Sequence, residues 1–491
     1  MKSYPAIYNP HLEWEAIDFP LVLNSLKIED PEFQLDENAN LEVWRDDNLQ
    51  LKAKIVGKLK DFKYSDKYIG QGNITQHQII EGVDKNGNRA KLNRCIFGGY
   101  QINSLTHNES GHLTTIDLLF DTVEIQFLND GEKIPNKHFE WFLCSGISSH
   151  FYGATSRSFQ DNAQKVRIGI DEYDSDKNLF VSSSTSRDFI VLDIPQIKCI
   201  IAKVPDHFMK GGMTGICFEF RDEQIAKLNE ELLRNLRRFV SFLFGQQFYY
   251  YGYSKLRDDY LVETLLDSPD ISLKPQPPMP PIHFNFEYEW GNIQLQLNSL
   301  FARYLELQKK LLLDHAVERL HIALVTPVGV NLPILAGALE IIAGKYLDMT
   351  GNIKLEYLPQ KEYDTLIANE VSSLTAKLST FDGGEIIINK LKGAFRKGPN
   401  EKINFFLSIL GLDIEKQEKA AINLRNKMTH GNRNYSNDKT VNEDVVLSRV
   451  YHVLFNRIVL KILGYDGYYI DYSIQRSPSK PIKMGAGELL T

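Results

Sequence analysis

The sequence predicts an α+β multidomain protein, with a β-rich, antiparallel, sandwich-like N-terminal region followed by an all-α helical bundle. Three observations carry this. Apolar and polar residues alternate over much of the first 220 residues, the period then changes to three and four, and the proline-rich run Pro275-Gln-Pro-Pro-Met-Pro-Pro281 precedes a part that is helical in pattern almost throughout. With 491 residues, 43% hydrophobic and 24% charged, the chain is long enough for two or three domains and has a globular rather than a disordered or coiled-coil composition.

Leu49, Leu51, Ala53 and Ile55 alternate with polar residues, as do Val123, Ile125 and Phe127, which is the period of half-buried strands. Asn86-Gly87 supplies the positive φ of a tight hairpin. The runs Phe189–Leu192 and Ile200–Val204 flank Pro195 as neighbouring strands. From Ile225 to Leu243 apolar residues recur at helical spacing and stop at Gly245, a C-cap, giving a helical segment near 222–245. The connector at 275–281 can neither continue a helix nor fill a central strand. It sets the expected division, a β-rich region over 1–284 and a helical domain over 285–491. Candidate helices there are Leu295–Leu324, Leu332–Leu347, Tyr363–Phe381, Glu385–Phe395, Asn400–Leu410, Glu415–His430 and Asn442–Leu463.

The start, Met-Lys-Ser-Tyr-Pro, leads into no apolar core of a signal peptide, and no stretch reaches the length of a membrane span, so a cytoplasmic protein without a membrane partner is expected. Cys95, Cys144, Cys199 and Cys217 form no Cys-x-x-Cys pair and read as buried, reduced thiols. The net charge of −7 is unevenly divided. Residues 291–491 hold 25 Lys+Arg against 21 Asp+Glu, a net +4, which leaves the rest at −11 and permits a polyanionic partner at the C-terminal part only.

The chain has no phosphate-cradling Gly-x-x-x-x-Gly-Lys-Ser/Thr loop, no Gly-x-Gly-x-x-Gly after a strand and no His-Glu-x-x-His, so no cofactor and no metal site are expected. His107 and His112 have zinc-helix spacing but lack the glutamate. His315 and His321 read as ordinary helix-surface or core histidines. The run Phe248-Tyr-Tyr-Tyr-Gly-Tyr253 suits packing better than ring stacking on a ligand.

The chemistry concentrates in Ala420-Ala-Ile-Asn-Leu-Arg-Asn-Lys-Met-Thr-His-Gly-Asn432. At about 100° per residue Ala421, Leu424 and Met428 share one arc, and Asn426 and His430 lie opposite, with Arg425 between. Gly431 ends the helix, leaving His430 in its last turn near carbonyls that favour a protonated imidazole. An imidazole to move protons and a guanidinium to hold a phosphate suit metal-independent RNA cleavage, with the ribose 2′-hydroxyl as nucleophile and 2′,3′-cyclic phosphate and 5′-hydroxyl ends as products. A capping histidine and a surface ion pair are the structural alternative.

Arg425-Asn426-Lys-Met-Thr-His430-Gly431 is the one Arg-x4-6-His in the chain, and it resembles the Arg-Asn-x-x-x-His-Gly form of the motif that marks the HEPN superfamily. The upstream helix Ile334–Ile342 and the following segments Leu460–Tyr465 and Tyr469–Asp471 are similar to those of HEPN proteins. The larger order, about 280 β-rich residues and then this bundle, resembles the ApeA-like anti-phage HEPN proteins. That resemblance implies an abortive-infection ribonuclease toxin that cuts RNA, often tRNA, as a homodimer or higher oligomer released by a phage-derived trigger. It also implies His430 as general acid/base, Arg425 as phosphate holder, Asn426 as an orienting hydrogen-bonder and the acidic N-terminal region as sensor or restraint. Glu340, a lone carboxylate in an apolar helix, is a candidate to orient Arg425, a surface position being the alternative. A different class stays open: a non-catalytic HEPN-type dimerisation or binding module joined to a ligand- or carbohydrate-binding β-sandwich.

Overall fold

The computed structural model describes residues 19–28, 37–58, 78–103, 113–128, 134–146, 154–160, 163–168, 171–175, 185–187, 189–203, 213–257, 260–269, 277–283, 290–327, 330–350, 356–429 and 438–482. Its contacts divide the chain into two compact units, one of residues 1–233, 246–278 and 284–298, the other of 234–245, 279–283 and 299–491.

The first unit is antiparallel β. Strands β1 (Leu21–Ile28), β2 (Asn40–Arg45), β3 (Leu51–Lys58), β4 (Gln78–Val83), β5 (Arg89–Asn103) and β6 (Leu113–Leu119) follow the order β5-β4-β1-β2-β3-β6, and β6 pairs back onto β5. This is a closed six-stranded barrel, filled by inward residues such as Leu23, Leu41, Val43, Ile55, Ile80 and Leu92. The expected sandwich is therefore corrected to a barrel. Inward and outward residues alternate identically in both, so period alone does not separate them. Closure comes from the 15 residues of β5, long enough to pair β4 over Arg89–Cys95, β7 (Thr122–Gln126) over Arg89–Asn93 and β6 over Ile96–Asn103. The Asn86-Gly87 hairpin joins β4 to β5, with Gly87 at φ 85°.

From β7 the sheet runs on through β17 (Tyr260–Asp267), β16 (Tyr249–Arg257), β8 (Lys137–Cys144), β15 (Thr214–Arg221), β14 (Ile197–Lys203) and β13 (Phe189–Ile194). The strands β9 (Ala154–Gln160), β10 (Ala163–Ile168), β11 (Asp171–Ser175) and β12 (Thr185–Arg187) form a separate four-stranded sheet. The aromatic run of β16 packs: Phe248, Tyr249 and Tyr251 are buried, and Phe142 of β8 stands 6.2 Å from Phe248 and 5.7 Å from Tyr250. All four cysteines are buried thiols outside any disulfide.

The second unit is helical. The expected segment near 222–245 opens as a short 3-10 turn, Asp222–Lys227, before α1 (Glu230–Phe244), so Ile225 and Leu228 stand outside the α-helix. Gly245 ends α1 at φ 61°, and an added Cβ there would lie 2.0 Å from the backbone of Met279, so only glycine fits. One expected helix, Leu295–Leu324, proves to be two, α2 (Trp290–Leu311) and α3 (Leu313–Val325), divided at Leu312, whose φ of 52° interrupts the ladder. Then follow α4 (Asn331–Met349), α5 (Gln360–Leu378), α6 (Gly384–Lys392), α7 (Pro399–Ile409), α8 (Lys416–Thr429) and α9 (Asp438–Ile462), with the hairpin β18 (Tyr468–Ile470) and β19 (Ser479–Pro481). Helix α4 packs on α3, α7, α8 and α9, and α8 also packs on α9. Phe239 of α1 sits 5.0 Å from Phe301 and 5.4 Å from Tyr304 of α2.

No described helix is long and apolar enough to cross a membrane.

Candidate functional site

Helix α8 carries Arg425 and Asn426 of the motif, and its first turn is held from three directions. The Glu418 carboxylate reaches back to accept the Glu415 N–H at 2.8 Å, satisfying a donor that the helix start leaves open. Its other oxygen pairs with Arg457 of α9, and both side chains are buried. Arg457 donates a second bond to the Asp413 carbonyl at 3.0 Å and stands 5.2 Å over the Tyr469 ring of β18. Lys480 of β19 adds an outer contact, 2.7 Å from Asp471 and 4.0 Å from Glu415. Burial works to raise the Asp471 carboxyl, but Lys480 and the Ser473 hydroxyl and N–H outweigh it and hold it below the usual carboxylate range.

Among the described side chains of α8 the buried residues are Glu418, Ala421, Ile422 and Leu424. Glu418, polar in the sequence, joins this buried set because it pairs with the buried Arg457. Position 426 is three on from the exposed Asn423, whose Oδ1 accepts the Asn400 Nδ2–H of α7 at 3.1 Å.

The predicted site residues are thus placed as follows. Arg425 and Asn426 are consecutive positions in the last turns of α8, their side chains outside the described residues, and His430 lies just beyond the described helix. Glu340 is on α4, a helix that packs against α8, and it is exposed rather than buried. His107 and His112 lie outside the described residues. His315 is exposed and His321 fully buried, one surface and one core histidine. Among the described residues no group of three or more His, Cys, Asp or Glu is arranged to hold a metal ion.

Sequence reasoning passed over Glu418, Arg457, Asn400 and Asn423. Only the first has a local signal, since a glutamate three residues after Glu415 at a helix start is half of a capping box. Arg457 stands 39 residues away and reads in sequence as one more helix-surface cation.

Burial pushes the His321 imidazole down to about 3, with Arg238 adding to the effect, and pushes His452 of α9 down to about 4. His452 Nε2 is 3.2 Å from Asn456 Nδ2, and its ring stacks on Tyr472 with centroids 6.0 Å apart. Both histidines are neutral core groups near pH 7, so neither is a ready proton carrier.

On the β-rich unit a cleft of about 640 Å³ lies between Gln50, Asn93, Arg94, Asp121, Thr122 and Asp267, with Arg94 paired to Asp121 at 3.2 Å. Compared with protein-family models, curated proteins and solved structures, the chain matches none.

Proposed function

We propose that this protein is a metal-independent endoribonuclease of HEPN type, acting in the cytoplasm as an abortive-infection toxin. The observation that carries the reading is the run Arg425-Asn426-x-x-x-His430-Gly431, whose Arg425 and Asn426 stand on a helix with its first turn anchored by a buried ion pair. In the proposed reaction the ribose 2′-oxygen attacks the adjacent phosphorus, the P–O5′ bond breaks, and a 2′,3′-cyclic phosphate and a 5′-hydroxyl result. His430 takes the 2′-hydroxyl proton or gives one to the departing 5′-oxygen, and Arg425 holds the charge that builds on the phosphoryl oxygens. Asn426 orients the phosphate. A homodimer would bring two such sets to one cleft and provide both an acid and a base.

The C-terminal +4 and N-terminal −11 charges support an RNA partner at the helical part and a restraining or sensing role for the β-rich part, released by a phage-derived trigger. Glu340 has a weaker place in this scheme than the sequence suggests, because an exposed carboxylate lacks the low-dielectric setting in which it would orient a neighbouring guanidinium strongly.

The test is incubation of parent, Arg425→Ala and His430→Ala proteins with tRNA and an unpaired RNA in EDTA, with analysis of product ends. Cyclic-phosphate fragments from the parent alone are expected. Equal cleavage by His430→Ala overturns the reading, and infection of cells carrying each version separates a restrained nuclease from a bundle that only binds.

A further inference from the structure

Beside α8 the helical unit presents a compact surface of cations and one exposed aromatic ring. Residues 385–402 hold Lys390, Lys392, Arg396, Lys397 and Lys402 against Glu385 and Glu401. The chain at Glu356–Tyr357 pairs with the stretch entering α7: the backbones of Glu356 and Arg396 form an antiparallel β-bridge, and Tyr357 N–H donates to the Phe395 carbonyl at 2.8 Å. This sets the Tyr357 ring at the surface, 55% exposed. Lys397 Nζ stands 5.5 Å from that ring and 4.8 Å from the Phe405 ring, and the exposed Arg396 guanidinium is 5.0 Å from Phe395.

The carboxylate beside the Tyr357 hydroxyl is already engaged, because Glu401 accepts the Tyr357 hydroxyl and the Gly398 N–H, the latter at 2.7 Å. The surface also continues into the motif helix. Asn400, in the first turn of α7, is bonded to Asn423, and Asn423 is one helical turn before Asn426 on the same face of α8.

We propose that Tyr357, Arg396 and Lys397 form a platform for unpaired nucleic acid, a base stacking on the Tyr357 ring while the two cations hold the flanking phosphates and lead the strand toward α8. An exposed aromatic face bordered by cations is the combination that single strands use, with stacking and charge both contributing. An acidic protein would engage the cations and leave the ring unused. The direction of the strand rests on the ribonuclease reading of α8, whereas the binding itself does not.

The test measures fluorescence anisotropy of a short labelled unpaired RNA, and of DNA of the same sequence, on the full chain in the His430→Ala background so that nothing is cut. Tyr357→Ala is expected to weaken binding roughly tenfold. Arg396→Glu with Lys397→Glu is expected to weaken it further and to lower the slope of log affinity against log salt by about 1.4. Tyr357→Phe, which keeps the ring and loses only the bond to Glu401, should bind as the parent does, and unchanged circular dichroism guards against unfolding. Equal weakening for DNA shows a backbone-and-stacking platform, and loss for RNA alone adds a 2′-hydroxyl contact.

The proposal is overturned if the parent binds neither strand, if the charge-reversed variant binds as the parent does, or if Tyr357→Ala is neutral, since charge alone then does the docking. If binding follows these variants while His430→Ala cleaves RNA like the parent, the nuclease reading fails and the platform stands.

Discussion

Two helices of the same unit bury their surfaces in opposite ways. From Val450 to Leu463 every residue of α9 and its exit is buried, Asn456, Arg457 and Lys461 included, whereas none of the 19 residues of α5 is. The main packing partner of α5 is α6, and apolar residues such as Leu366, Ile386 and Ile387 stand exposed on the pair. A helix buried all round admits polar side chains where they find partners, and in α9 Arg457 takes Glu418 and His452 takes Asn456. The stability of the motif helix is therefore written into α9, whereas exposed positions of α5 and α6 such as Leu366, Ile386 and Ile387 can vary at little cost to the core.

The sharpest way to break this contrast is Arg457→Ala. It leaves the buried Glu418 carboxylate facing no cation and should cost about 3–5 kcal/mol by denaturant unfolding. Loss of RNA cleavage should accompany it. A cost below about 1 kcal/mol would mean that α8 is anchored otherwise. Leu454→Ala, a pure cavity in the same helix, should cost about 2–4 kcal/mol without the electrostatic penalty, and the difference between the two variants isolates the ion pair.

A third experiment uses pH. His321 and His452 are held near 3 and 4 in the folded chain and titrate near about 6.5 when unfolded. Between these values the unfolded chain binds protons that the folded one refuses. Stability contributed by the neutral core is therefore complete above about pH 7.5 and falls as pH drops toward 4, by up to about 1.4 kcal/mol per pH unit for each histidine. Thermal unfolding from pH 7.5 to 5 should show a steeper loss for the parent than for His452→Asn, and equal slopes would contradict the assignment. The smallest effect is expected on α5, where Leu366→Gln should change stability by no more than about 0.5 kcal/mol.

Most elements were readable because their signals are local. The strand periods around Ala53 and Ile125, the Asn86-Gly87 hairpin, the Gly245 cap and the run of C-terminal helices each need only neighbouring residues. Readings failed where one residue's environment depends on distant chain. The interruption at Leu312 lies in a continuous apolar pattern, and the 3-10 turn at Asp222 lies under a helical one. The motif helix was legible from its neighbouring residues, and Ala421 and Leu424 are buried as its wheel implies, but the burial of Glu418 was not legible because it depends on the distant Arg457.

The amino-acid sequence by itself determined the division into strand-rich and helical parts, the uneven charge between them and the position of the Arg425–His430 run, because periodicity, charge and motif spacing are properties of nearby residues. Only the tertiary structure decided that the β-rich part closes as a barrel, that Glu418 and Arg457 meet across 39 residues, and that Tyr357, Lys397 and Asn400 gather beside Asn423. Each of those depends on which distant surfaces bury one another, and a pairing of that kind leaves no trace in local period or composition.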